Sequence, residues 1–180
     1  MADSFTLTLI QTELHWEQKD ANFARFDKLI KEAASSDLIL LPEMFSTGFS
    51  MKPQELADEP EGKTLSWLQS KARDHETAIS GSVIIRDNGK YYNRLYFVFP
   101  DGSYRVYDKK HLFTLAGEHK VYSGGNEHLV LQHKGWKIMP LVCYDLRFPV
   151  WCRNTQEVDL QFFVANWPHR RSLAWKTLLR

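Results

Sequence analysis

The sequence predicts an α/β domain in which two sheets pack on each other and helices cover their outer faces. Strand-like and helix-like stretches mix along the whole chain, which is typical of layered α/β folds. Because helices can cover only the outer faces of so much strand material, two stacked sheets are the arrangement we predict. Strands are predicted over residues 5–11, 37–41, 77–85, 92–99, 104–107, 129–132, 138–142 and 160–164. Helices are predicted over residues 22–34, 65–73 and 171–180.

Alternation and turn signals predict the strands, and apolar stripes predict the helices. Residues 5–11 alternate apolar and polar side chains, whereas 37–41 is a short apolar run before a proline. Asn88-Gly89 and Asp101-Gly102 are tight-turn signals, so the middle of the chain is predicted to be an antiparallel meander. The first helix carries an apolar stripe that consists of Phe23, Phe26, Ile30 and Ala33.

Composition and charge exclude several classes of protein. The 180 residues fit a single domain, 1–180, and the formal net charge of +1 argues against a nucleic-acid or membrane-surface binder. No apolar run approaches the roughly 18 residues of a membrane span, and the first residues lack a signal-peptide pattern. Two cysteines, Cys143 and Cys152, suit free thiols in the cytoplasm. Neither metal-ligand spacing nor a glycine-rich phosphate loop occurs, so no metal or cofactor is predicted.

Two stretches place charged side chains at the ends of predicted strands. Glu43 follows a buried strand and Pro42, at the edge of a sheet where α/β proteins build their sites. It is either a general base or a solvated loop glutamate. Lys109 and Lys110 follow another strand, and adjacent lysines usually lie in water. The functional alternative turns one ammonium inward to stabilise an oxyanion.

A third stretch runs from an apolar strand directly into Cys143. A turn and a helix are predicted after it, with Pro149 in the first helical turn. A side chain at such an elbow is presented outward, as nucleophiles often are, although an isolated cysteine is more often buried and inert. For Cys152, inside the predicted helix, core packing is the better interpretation.

In combination these stretches resemble the nitrilase superfamily, the carbon–nitrogen hydrolases. The matching motifs read Leu-Pro-Glu-Met-Phe around Glu43, Asp-Lys-Lys-His-Leu-Phe from residue 108, and Val-Cys-Tyr-Asp-Leu-Arg-Phe-Pro around Cys143. The resemblance implies a catalytic triad of Glu43, Lys109 and Cys143. It selects Lys109 over Lys110 by its position two residues before the histidine. It also implies a supporting glutamate, for which Glu118 is the best match and Glu127 the alternative.

The resemblance implies a fold and an activity as well. The fold is a four-layer α-β-β-α sandwich, of which a C-terminal portion would be missing from these 180 residues. The motifs resemble the omega-amidase branch most, so the implied substrate is a small linear amide such as 2-oxoglutaramate, cleaved through a cysteine thioester without a cofactor. A homodimer is implied too.

Several residues are predicted to support the reaction or to bind the substrate. The backbone N–H of Tyr144, next to the nucleophile, is predicted to stabilise the oxyanion together with Lys109. Arg147 either clamps a substrate carboxylate or forms an ion pair with Asp145. Aromatic residues that could line the pocket are Phe45, Phe49, Phe113 and Trp167.

Three rival hypotheses remain at this point. One is another nitrilase-superfamily activity, a nitrilase or a carbamoylase, because the same three residues serve all of them. Another is a cysteine–histidine hydrolase in which His111 or His169 is the base. The last is an inactive interaction module whose thiol is merely redox-sensitive.

Overall fold

The structure is a computed structural model that describes residues 4–33 and 35–179. Its eight strands form a five-stranded and a three-stranded sheet. The strands are β1 Leu7–Leu9, β2 Leu38–Leu40, β3 Ala78–Asp87, β4 Lys90–Val98, β5 Tyr104–Asp108, β6 Leu131–His133, β7 Trp136–Val142 and β8 Leu160–Val164. The α-helices are α1 Lys19–Glu32, α2 Pro53–Leu56, α3 Lys63–Asp74, α4 Pro149–Cys152 and α5 Ser172–Leu178. Single turns of 3₁₀-helix are Thr114–Ala116, Glu118–Lys120, Cys143–Arg147 and His169–Arg171.

The first sheet has the strand order β1-β2-β3-β4-β5. Strands β1 to β3 are parallel, whereas β3, β4 and β5 form the predicted antiparallel meander. Asp87 pairs with Lys90, so Asn88 and Gly89 alone make the hairpin turn. Both have positive φ, as a type I′ turn requires.

The second sheet has the order β6-β7-β8, with β7 central and parallel to β8. Strand β7 is buried along most of its length and ends directly at Cys143. The sheet therefore carries the cysteine to the edge at which the parallel strands β7 and β8 end.

Side chains on the two faces of the first sheet belong to two separate hydrophobic cores. Ile39 and Val98 point towards α1 and α3, where they meet Phe26 and Leu68. Their neighbours along the strands point the other way and pack against the second sheet: Leu38, Leu40, Leu95 and Phe97. The predicted α/β class with two stacked sheets is confirmed.

Several predicted element boundaries were wrong, for reasons that lie in the pairing of strands. The first strand was predicted over 5–11 but spans only Leu7–Leu9, because its partner β2 offers just three residues to pair with. The strand predicted over 129–132 is shifted to Leu131–His133, where the positive-φ pair Lys134 and Gly135 closes a two-residue hairpin.

The helices also differ from the predicted spans. The first begins at Lys19, before the predicted 22, and Ala34 of the predicted span lies outside the described residues. The turn and helix predicted after Cys143 are confirmed, as a 3₁₀ turn followed by the four-residue α4 with Pro149 at its first position. The last helix begins at Ser172, and Arg180 of its predicted span lies outside the described residues.

The prediction that Phe45 lines the pocket was wrong. Its ring is fully buried in the core between the first sheet and the helices, where it packs edge-on against Phe26 at 5.5 Å. The reason is that the Phe45 N–H bonds the Ser82 carbonyl, which turns the side chain towards α1.

The described residues form no helix with the length and hydropathy of a membrane span.

Candidate active site

Strands β2, β5 and β7 end close to one another, and each is followed by one of the predicted catalytic residues. Glu43 lies three residues beyond β2, Lys109 directly follows β5, and Cys143 directly follows β7. The backbone N–H of Lys109 bonds the carbonyl of Asn93 on β4 at 3.0 Å, which fixes its position beside the sheet. The two sheets thus converge on one small region from opposite sides.

At the centre lies a buried cluster of three charges. The Nζ of Lys109 donates to Oε1 of Glu43 at 2.8 Å and to both carboxylate oxygens of Glu118, at 3.0 Å and 2.9 Å. All three side chains are inaccessible to solvent. Buried charges persist only when they are paired and hydrogen-bonded, and here each one is. Glu118, rather than the exposed Glu127, is the glutamate at the site.

Asn93 belongs to this cluster and was missed in the sequence. Its Nδ2 lies 2.9 Å from Oε1 of Glu43 and 3.3 Å from Oε1 of Glu118, so one amide bridges the two carboxylates. The backbone N–H of Asn166 donates to the other oxygen of Glu43 at 3.0 Å. The available signal was an asparagine, a poor strand former, within a predicted interior strand.

In this cluster, neighbouring charges oppose the effect of burial on the pKa of Lys109 and of Glu118. Burial alone would lower the pKa of Lys109, but the carboxylates of Glu43 and Glu118 outweigh it, so the pKa is raised and the ammonium persists. Burial raises the pKa of Glu118, and the ammonium opposes that shift. The cluster therefore depends on the lysine for its charge balance.

Cys143 lies beside this cluster in a strained conformation. Its φ of 45° is in the left-handed region, which costs a non-glycine residue about 1–3 kcal/mol and clusters at functional sites. Cys143 is 8% exposed and lines the wall of a cavity. Burial, and then the negative charge of Glu43, raise the pKa of the thiol well above its ordinary value. The resting side chain is therefore a neutral thiol rather than a thiolate.

Asp145 holds the elbow that follows Cys143. Its buried carboxylate accepts bonds from the Val142 N–H at 3.1 Å, the Tyr107 hydroxyl at 2.7 Å and the His111 N–H at 2.9 Å. The His111 ring nitrogen Nδ1 lies 2.9 Å from the same carboxylate. Asp145 thereby ties the end of β7 to the segment that carries Lys109, and sequence reasoning had considered it only as a partner for Arg147.

The thiol opens on a cavity of about 550 Å³, within the range of small-molecule sites. Glu43, Lys109 and Cys143 line its inner end. The other lining residues are Phe49, Phe113, Leu115, Ala116, Tyr144, Arg147, Asn166, Trp167, Pro168, Arg170, Arg171 and Ala174. Phe113, Trp167, Tyr144 and Arg147, which the sequence singled out, all line this one cavity.

The residues that the sequence left open as alternative site residues do not line this cavity. Lys110 points away and donates to the Asn126 side chain at 2.7 Å. His111 is stacked on Phe148 at 3.6 Å, and neither it nor His169 lines the cavity. Cys152 donates to the Asp145 carbonyl, and burial raises its pKa to about 12. A cysteine–histidine pair is therefore not formed within the described part of the chain.

The ion pair predicted as an alternative for Arg147 is not formed either. The Asp145 carboxylate is fully buried and occupied by the partners given above, whereas Arg147 is exposed at the cavity.

Comparison with known proteins identifies the class to which this fold and site belong. A family model described as carbon–nitrogen hydrolase matches residues 6–180. The chain therefore belongs to the carbon–nitrogen hydrolase family, as its motifs predicted. Because the match runs through Glu43, Lys109 and Cys143, the cluster lies within the family domain.

Within the family the chain is similar to omega-amidases. It is 47% identical over 173 residues to omega-amidase YafV of Yersinia enterocolitica, which covers 96% of this chain and 67% of that protein. It is 35% identical over 181 residues to the 2-oxoglutaramate amidase of Bacillus subtilis, with 97% and 70% covered. The chain thus spans about two thirds of the length of these relatives.

A solved structure shows the same fold. The crystal structure of XC1258 from Xanthomonas campestris, described as a CN-hydrolase superfamily protein with an arsenic adduct in the active site, superposes with a TM-score of 0.94. The two chains are 42% identical, and the match covers 97% of this chain and 69% of that one. The predicted nitrilase-type sandwich is confirmed at the level of the fold.

We predict that Lys109→Met destabilises the protein in a pH-dependent way. Removing one partner of a buried charge cluster costs about 3–5 kcal/mol, because the remaining charges lose their compensation. Without the ammonium, the pKa of Glu118 should rise further above its unfolded value. A carboxyl with a raised folded-state pKa stabilises the fold when protonated, and that stabilisation is lost as the pH rises.

Urea unfolding at about pH 5 and about pH 8 measures this effect, with a larger loss expected at the higher pH. Lys110→Met is the matched control, since its ammonium donates to the exposed Asn126 and lies over the Trp151 ring, contacts that should contribute less than about 1 kcal/mol. A Lys109→Met protein as stable as the control at both pH values would contradict the interpretation.

Proposed function

We propose that this chain hydrolyses the omega-amide of a small 2-oxo dicarboxylic acid, such as 2-oxoglutaramate, to the free acid and ammonia. The observation that carries the proposal is the thiol of Cys143 at the cavity wall beside the buried Glu43–Lys109–Glu118 cluster. The similarity to an omega-amidase and to a 2-oxoglutaramate amidase supports the choice of substrate class.

In the first step the sulfur of Cys143 attacks the amide carbon. The thiol starts neutral because its pKa is raised, so a base must take its proton as the carbon–sulfur bond forms. Glu43 is that base in our proposal. Its carboxylate is held by Asn93, Lys109 and the Asn166 N–H, so it cannot swing away from the thiol.

The carbonyl oxygen becomes an oxyanion in the same step. We assign its donors to the Lys109 ammonium and the backbone N–H of Tyr144. Lys109 holds Glu118 through both carboxylate oxygens, so one of those bonds can be given up while the other keeps the lysine in place. Glu118 is a positioning residue in this scheme. The loss of one oxyanion donor typically slows such reactions by about 10²–10³-fold.

The tetrahedral intermediate then breaks down. Glu43, now protonated, gives its proton to the amide nitrogen as the carbon–nitrogen bond breaks and ammonia leaves. A thioester remains on Cys143. Glu43 next takes a proton from water, whose oxygen attacks the thioester carbon, and returns it to the departing sulfur. One difficult hydrolysis is thereby split into two easier steps.

Ammonia release from 2-oxoglutaramate tests the activity directly. We expect the chain to release ammonia and Cys143→Ala to release none above background, because the variant has no nucleophile. Cys152→Ala is the matched control, and its activity should be retained because its thiol bonds the Asp145 carbonyl away from the cavity. Equal release by both cysteine variants and the unaltered chain would rule out a thioester on Cys143.

We predict that Glu43→Gln impairs hydrolysis but does not slow the alkylation of the Cys143 thiol. Loss of a general base should lower kcat/KM by about 10²–10⁴-fold. Because the charge of Glu43 helps to raise the pKa of the thiol, that pKa should fall in the variant. Alkylation of Cys143 by iodoacetamide near neutral pH should then be at least as fast as in the unaltered chain. Loss of both activities together would indicate that the substitution displaced the thiol instead.

We further propose that the protein acts in the cytoplasm as a homodimer. The two cysteines are free thiols, which suits a reducing compartment. Val150 of α4 and Leu173 of α5 are 93% and 79% exposed, and a dimer that covered them would remove apolar surface from water. Light scattering during gel filtration should give twice the chain mass of 21.1 kDa. A mass of one chain at all concentrations would contradict the dimer.

A further inference from the structure

The outer wall of the cavity carries three arginines that the mechanism does not use. They are Arg147, Arg170 and Arg171. Arg147 and Arg170 are exposed, whereas Arg171 is partly buried. A cation withdrawn from water interacts more strongly with an anion, because the effective dielectric constant around it is lower. Arg171 is therefore the one whose charge bears most on a molecule inside the cavity.

Arg171 is held in place by aromatic rings. Its guanidinium lies 4.6 Å from the centroid of the Phe113 ring and 5.5 Å from that of Trp167. The indole N–H of Trp167 donates to the Arg171 carbonyl at 2.8 Å, which closes the turn between them. Guanidinium groups stack well on aromatic faces, since they are weakly hydrated and planar. The charge is thus oriented without a carboxylate partner among the described residues.

A partly buried guanidinium ordinarily has polar partners that replace its lost hydration. Among residues 4–33 and 35–179, no carboxylate lies within ion-pair distance of Arg171, and its buried Nε has no hydrogen-bond partner. Arg94, on β4, shows the ordinary solution: it pairs with Asp108 at 2.7 Å and Asp87 at 2.9 Å. A withdrawn guanidinium with open donors is costly unless an anion binds to it.

We infer that Arg171 is the receptor for the distal carboxylate of the substrate and sets the selectivity for anionic amides. The Phe113 ring beneath its guanidinium packs on Tyr144 at 5.0 Å, and Tyr144 adjoins Cys143. The nucleophile and the cation thus line one cavity. The inference rests on the proposed function, and it assigns to Arg171 the role that the sequence predicted for Arg147.

A pair of substrates that differ only in the carboxylate tests the selectivity. In 4-oxopentanamide a methyl group replaces the carboxylate of 2-oxoglutaramate. For Arg171→Met we expect kcat/KM on 2-oxoglutaramate to fall by about 10- to 100-fold, the usual range for a bond to a charged group. The loss should appear mainly in KM, and activity on 4-oxopentanamide should change by less than about threefold.

Three further variants make the result specific. Arg171→Lys keeps the charge but loses the planar fork, so its loss on 2-oxoglutaramate should be intermediate. Arg153→Met removes an exposed guanidinium that does not line the cavity and should match the unaltered chain. Arg147→Met tests the rival assignment. A larger selective loss in Arg147→Met than in Arg171→Met would overturn the inference.

A binding measurement separates this inference from the proposed function. Calorimetric titration with 2-oxoglutarate, the product acid, needs no turnover. We expect Arg171→Met to bind it at least about 10-fold more weakly than the unaltered chain. If the chain binds 2-oxoglutarate through Arg171 but hydrolyses no 2-oxoglutaramate, the proposed function fails and the anion receptor stands. Equal affinity in both proteins, or no binding by the unaltered chain, would overturn the receptor.

Discussion

A single buried ammonium, that of Lys109, is the interaction on which the arrangement of this molecule depends. It donates hydrogen bonds to the carboxylates of Glu43 and Glu118 at distances of 2.8–3.0 Å in a region that solvent does not reach. Removing charges from water costs several kcal/mol each, so these contacts are tolerated only when all partners are present in good geometry. Glu43 and Lys109 are 66 positions apart, and the first sheet brings them together. The cluster therefore also fixes how β2 and β5 end.

The second sheet places the thiol of Cys143 beside that cluster. Strand β7 ends at Cys143, whose positive φ would be unfavourable in an isolated chain. Asp145 offsets that cost, because it binds the Val142 N–H before the strained residue and Tyr107 and His111 across the gap between the sheets. The same carboxylate thus stabilises the elbow and ties it to the segment that carries the lysine. Burial, together with the negative charge of Glu43, raises the pKa of the Cys143 thiol and keeps it protonated.

Charge is distributed along the cavity in a way that suits a substrate with two different ends. The lining includes Cys143 with Glu43 and Lys109, and it also includes three arginines. A neutral amide group suits the first environment, and a carboxylate suits the second. Arg171 is stacked on Phe113 and Trp167, and in the described part of the chain it has no acid partner like those of the structural Arg94. This contrast between the buried Arg94 and the partly buried Arg171 is the physical basis for assigning a ligand to Arg171.

The sequence by itself determined the α/β class, the Asn88-Gly89 hairpin and, through its motifs, the order of Glu43, Lys109 and Cys143. Those features are local: alternation, turn residues and short motifs each span a few positions. The tertiary structure alone decided that Asn93 bridges two carboxylates and that Phe45 points into the core. A strand buried on both faces has no polar side to show which face meets the site. Contacts between segments far apart in the chain, such as Arg171 on Phe113, exist only once both sheets have packed.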